Sequence, residues 1–101
     1  MSGQVLGQAR LRALLRAFKE QNAERYHLLA LGYYGSYARN EASEDSDVDI
    51  VFDTDVPNLF AASAMRLDLE ELLGRPVGLI QLDGLRDPRF RTRIEREAIY
   101  V

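Results

Sequence analysis

The stretch GSYARNEASEDSDVDIVF, residues 35–52, carries the reading on which the fold turns. Gly35 and Ser36 are followed, after a gap of ten residues, by Asp47 and Asp49. Carboxylates at i and i+2 of a strand point to the same face, so this pair can hold one divalent cation or two close ones. A glycine and then a serine hydroxyl at the start of a helix offer what phosphates need: close backbone approach, free N–H donors and a favourable dipole. The spacing therefore predicts a metal and phosphate site, with a short helix beginning near Ser36.

Outward from that stretch, HLLALGYY (residues 27–34) is apolar and aromatic and ends at Gly35, the pattern of a buried strand entering a tight turn. In DVDIVF (47–52), polar Asp47 and Asp49 alternate with apolar Val48, Ile50 and Phe52, so the strand has one face on the core and turns its aspartates toward a cleft. Leu11, Leu14, Leu15 and Phe18 form a stripe that predicts a helix over about residues 8–22. Pro57 and Asn58 open a second helix to Leu73, with Ala62, Met65, Leu69, Leu72 and Leu73 buried and Gly74 and Pro76 as its stop. VGLIQL (77–82) is the next strand. Asp87 then caps a helix that has Pro88 at its first position and Phe90, Ile94 and Ala98 on one face, and Ile99-Tyr100-Val101 ends the chain as an apolar tail. This order predicts an α/β (α+β) fold with a small sheet flanked by helices, its strand directions open at this stage.

The length of 101 residues fits a single domain, residues 1–101, with a modest core. No cysteine is present, which removes disulfides and thiolate metal sites and makes the reducing cytoplasm the expected compartment. The N-terminal MSGQVLGQARLR lacks the apolar run of a signal peptide, and no later run suits a membrane span. A net charge of −3 argues against broad binding to nucleic acid.

A D-x-D pair alone is better explained by a solvated acidic loop, with Gly35 serving only the turn. A calcium loop starting at Asp45 fails, because Ile50 and Val56 stand where it needs glycine and glutamate. GSYARN lacks the lysine of a Walker A loop. What remains, G-S-x10-D-x-D running into an apolar strand, resembles the minimal nucleotidyltransferases of the DNA polymerase β superfamily. The segments NLFAASAMRLDLEELLGRPV and REAIYV extend the likeness over nearly the whole chain. The resemblance implies a small mixed sheet and the polymerase-β-type fold. It also implies an antitoxin paired with a HEPN-domain toxin and able to transfer AMP from ATP to it. Asp47 and Asp49 would then be the catalytic residues that ligate Mg2+, and Gly35 and Ser36 would hold the terminal phosphates. Arg39 either reaches the phosphates or pairs with Glu41 or Asp45.

One departure stands out. The family usually carries a third acidic residue on the next strand, in a pattern like R-x-V-D-L-I, where this chain reads Arg75-Pro76-Val77-Gly78-Leu79-Ile80. Gly78 thus predicts weakened transfer with nucleotide and Mg2+ binding retained, or an antitoxin that works by binding alone. Asp83 is the nearest substitute, but its odd offset puts it on the other strand face. Arg86, Arg89, Arg91, Arg93 and Arg96 are interleaved with Asp87, Glu95 and Glu97, as on a solvated helix face. His27 reads as structural. Tyr33, Tyr34 and Tyr37 read as core or turn packing, with adenine stacking the sharper alternative. The apolar tail around Tyr100 and the modest core make homo- or hetero-oligomerisation an expectation.

Overall fold

The computed structural model describes residues 6–101, so the first five residues of the N-terminal segment lie outside the described residues. Helix α1 (Gln8–Tyr26) runs one turn beyond the stripe that predicts it. The added turn is held by tertiary contacts: the Tyr26 ring stacks on Phe18 at 6.2 Å, and its hydroxyl donates to Asp68 at 2.5 Å. His27 ends the helix in the left-handed region with φ 52°, its N–H donating to the carbonyls of Ala23 and Glu24, which is the structural role expected of it.

Strands β1 (Leu28–Tyr34), β2 (Val48–Thr54), β3 (Val77–Gln81) and β4 (Ile99–Tyr100) form one mixed sheet in the order β3-β2-β1-β4. β2 is antiparallel to β1, with Asp49 opposite Tyr34, and parallel to β3, with Asp49 opposite Gly78. The expected apolar tail is a correction: Ile99 and Tyr100 pair antiparallel with Tyr33 and Gly32 as an edge strand. Gly32 makes this possible, because a Cβ there would lie 2.6 Å from the Ile99 carbonyl oxygen.

Helices α1 and α2 (Leu59–Leu73) cover one face of the sheet, where Leu11, Leu15, Phe18, Met65, Leu69 and Leu73 pack on Leu31, Tyr33, Val48, Ile50 and Phe52. Each such side chain removed fully from water contributes about 1.5–3 kcal/mol. The Asn58 side chain caps α2 by accepting from the N–H groups of Phe60 and Ala61, and Gly74 closes it with φ 68°. Leu72, expected in the buried stripe, is 41% exposed because it falls one step off the Met65-Leu69-Leu73 line. A 3-10 turn (Leu82–Gly84) follows β3 and leads to α3 (Pro88–Glu97), capped by Asp87 with Pro88 at its first position as expected. Alternation along β2 turns Asp49, Val51 and Asp53 to the face opposite the α1–α2 core. Val51 and Ile94 of α3 are fully buried outside that core, and Phe90 of α3 meets Tyr34 edge-on at 6.4 Å. No helix among the described residues is long and apolar enough to cross a membrane.

Candidate active site

The segment after β1 does not form the helix expected near Ser36. Three backbone bonds wind it into consecutive turns instead: Arg39 to Gly35 at 3.0 Å, Asn40 to Tyr37 at 3.2 Å and Glu41 to Ser36 at 2.8 Å. Asn40 takes φ 59°, which stops a helix from propagating. Gly35 opens the turns with φ 73°, and a Cβ built there would overlap Asp49 Oδ2, so backbone and carboxylate touch only because the side chain is absent. Ser36 is half-buried, and its hydroxyl has no hydrogen-bond partner among the described residues.

Asp49 is half-buried in β2, and Asp47 is exposed one residue before the strand. Burial pushes the Asp49 carboxyl above its ordinary value, the charge of Asp47 adds to the effect, and the Arg39 guanidinium opposes it. Tyr34, across the ladder, is pushed up to about 12 by burial and by the carboxylates of Asp49 and Glu97. The structure therefore gathers Gly35, Asp47 and Asp49 at one end of the sheet, in a partly desolvated and anionic setting.

Glu97, at the end of α3, belongs to this group although it lies 62 residues from Gly35 in the chain. Its Oε2 accepts the Gly35 N–H at 3.2 Å, and its Oε1 accepts from Arg39 Nη1 at 2.5 Å. Burial alone would raise this carboxyl, but the hydrogen bonds from Arg39 and Gly35, with the charges of Arg39 and Arg93, carry it below the ordinary glutamate value. The sequence held a signal for it, since Glu97 continues the Phe90–Ile94 stripe at i, i+4 and i+7. Arg39 also donates from Nε to Glu41 at 2.9 Å, so of the alternatives open for it, the Glu41 pair is present.

Around the site the tyrosines pack as expected, and Asp83 stays away from position 78. Tyr33 and Tyr37 are fully buried in the core and cannot stack on a base, while Tyr34 packs against Phe90. Asp83 lies past the end of β3 in the 3-10 turn; its N–H donates to Asp53 Oδ1 at 3.1 Å and its carboxylate faces Arg91 at 3.6 Å. Asp53 is four residues along β2 from Asp49, roughly 13 Å, so Asp83 does not replace a carboxylate at position 78. Among the described residues, no three His, Cys, Asp or Glu side chains converge as a metal-holding group.

Three helices with a mixed four-stranded sheet are the fold of the minimal nucleotidyltransferases. Residues 11–101 match the model of the nucleotidyltransferase domain family, and the chain belongs to that family. The protein adenylyltransferase MntA of Thermococcus cleftensis is 38% identical over 92 residues, which span 90% of this chain and 92% of that protein. A solved minimal nucleotidyltransferase structure superposes with a TM-score of 0.80 at 35% identity, covering 96% of this chain and 98% of the other. The fold recurs, at 19% identity and a TM-score of 0.61, in the structure of a tri-AMPylated HEPN toxin of Shewanella oneidensis with MNT antitoxin, over 92% of this chain and 66% of that one.

Proposed function

We propose that this chain is a cytoplasmic, single-domain antitoxin that binds ATP with Mg2+ and transfers AMP, at a reduced rate, to a HEPN-domain partner. The observation that carries this reading is the contact of the Gly35 backbone with the half-buried Asp49 carboxylate, beside the charge of Asp47. Two neighbouring carboxylates, one of them raised above its ordinary value by burial and then by the charge of the other, suit a hard divalent cation that relieves their repulsion. Asp47 and Asp49 would hold the metal, and Gly35 and Ser36 the terminal phosphates. When bound, Mg2+ supplies the positive charge that offsets the triphosphate and the attacking and leaving oxygens. Arg39, engaged by Glu97 and Glu41, steadies the turn beside these phosphates.

Gly78 is the weak point of catalysis. It stands opposite Asp49 in the parallel ladder, and a Cβ there would lie 3.3 Å from Asp49 Oδ1, so a carboxylate at this position would join the site directly. Its absence removes a ligand and a proton acceptor, an effect of roughly 10²- to 10³-fold on rate. Calorimetry with ATP and Mg2+ tests the reading. Saturable binding should vanish in Asp47→Asn with Asp49→Asn, and absence of binding in the unaltered chain would refute it. The same glycine favours a second reading, neutralisation of the partner by occlusion alone, in which the doubly substituted chain still silences the HEPN protein.

A further inference from the structure

In the sequence the arginines of α3 alternate with acids, but the fold turns those acids away from one side of the helix. Asp87 is the cap, Glu95 lies 3.8 Å from Arg91, and Glu97 reaches inward to Gly35 and Arg39. Arg89, Arg93 and Arg96 follow at i, i+4 and i+7 and fall within roughly 60° of arc, whereas Arg91 and Glu95 project from the opposite side. All three are exposed, and no ion pair engages them among the described residues. With Pro88, Thr92 and Glu97 they line an open groove of about 710 Å³. Glu97 walls this groove off from the Gly35 turn, so the groove lies outside the nucleotide site and is free for a different occupant.

We propose that Arg89, Arg93 and Arg96 form the docking face for a short acidic segment of the protein that accepts AMP. The inference rests on the transferase reading above and supplies the contact by which an acceptor is held beside the site. Three aligned guanidinium groups without a counter-charge of their own call for an anionic partner, and each matches a carboxylate through two parallel donors. Along the helix axis Arg89 and Arg96 are about 10 Å apart, a span that about three residues of extended chain cover. The row also has a direction. Glu97 is the last residue of α3 and bonds to Gly35, so a segment lying along the row from Arg89 to Arg96 leads past Glu97 toward the end of the sheet that carries Asp47 and Asp49. The same geometry disfavours RNA as the occupant. A long polyanion would run on across those aspartates on a chain whose net charge is already −3, whereas a short acidic segment ends before them.

A polyglutamate peptide is the probe, titrated calorimetrically at low salt without nucleotide or Mg2+. The unaltered chain should bind it, and Arg89→Gln with Arg93→Gln and Arg96→Gln should weaken binding at least tenfold. Arg12→Gln with Arg16→Gln and Lys19→Gln removes an equally spaced row on α1, across the sheet from the site, and should change binding less than twofold. Absence of binding, equal loss in both triple variants, or a polyuridine RNA binding as tightly as the peptide would overturn the proposal. So would a concentration-dependent dimer that the α3 variant abolishes, because the face would then belong to a second copy of the chain. ATP·Mg2+ affinity, titrated separately, should be the same in the α3 variant as in the unaltered chain, and its loss there would assign the arginines to the nucleotide instead. Absence of ATP·Mg2+ binding from the unaltered chain refutes the functional reading and leaves the peptide result untouched, so either can fail while the other stands.

Discussion

Gly35 answers two demands at once, a left-handed backbone and contact with a carboxylate, and a methyl group violates both. Gly35→Ala is expected to cost about 2–3 kcal/mol, read as a lowered denaturation midpoint, and to abolish ATP·Mg2+ binding by displacing Asp49. The two half-buried acids of the site titrate in opposite senses. Asp49 has its folded value raised above 3.8, so its penalty is absent below that pH and grows as pH rises through the folded value. Asp49→Asn should therefore stabilise the chain at pH 7 by up to about 1 kcal/mol, with no gain at pH 3. Glu97 has its folded value lowered below 4.5, so its contribution is complete above that pH and disappears as pH falls through the folded value. Glu97→Gln should cost about 1–2 kcal/mol at pH 7 and little in acid. Thermal melts of the three chains across pH 2.5–7.5 (roughly the range in which carboxylates titrate) separate these effects, and parallel curves would remove both assignments.

At the level of elements, α3 is the lever that brings a distant carboxylate to the turn. Its one fully buried side chain is Ile94, and truncation to alanine removes contacts worth about 2–5 kcal/mol. The consequence should be local before it is global: Ile94→Ala is expected to speed hydrogen exchange at the Gly35 amide, whose acceptor is Glu97, more than at amides of the β1–β2 ladder. Uniform acceleration would instead mean that α3 does not hold the turn. How legible these elements were depends on where their specification lies. The Val48-Ile50-Phe52 alternation, the Asn58 and Asp87 caps and the Gly74 stop are local, and each could be read directly. The turns at Ser36 resisted reading because the Gly-Ser pair suits either a helix start or an isolated turn, and the left-handed Asn40 settles it only in three dimensions. β4 is two residues long and exists because Gly32, far away in the chain, leaves room for it. Asp47, Asp49 and Gly35 were visible as spacing, but Glu97 needed the fold of α3 to reach them.

Across the whole molecule, the sheet divides labour between its faces. One carries the α1–α2 core, and the other carries the acidic site beside α3. Position 78 lies on that second face, in register with Asp49, so the geometry is ready for a third carboxylate that the sequence does not provide. Gly78→Asp would add a third negative charge beside Asp47 and Asp49 and should lower the melting temperature of the metal-free protein at pH 7. Magnesium should reverse this, because binding to the folded state stabilises it in proportion to affinity. Tenfold tighter binding at saturating Mg2+ adds about 1.4 kcal/mol, equivalent to about 5–10 °C for a domain of this size. Scanning calorimetry with and without Mg2+ should thus show a larger metal-induced shift for Gly78→Asp than for the unaltered chain, accompanied by faster AMP transfer. Equal shifts would mean that residue 78 does not face the metal, and the slow transfer attributed to its glycine would need another cause.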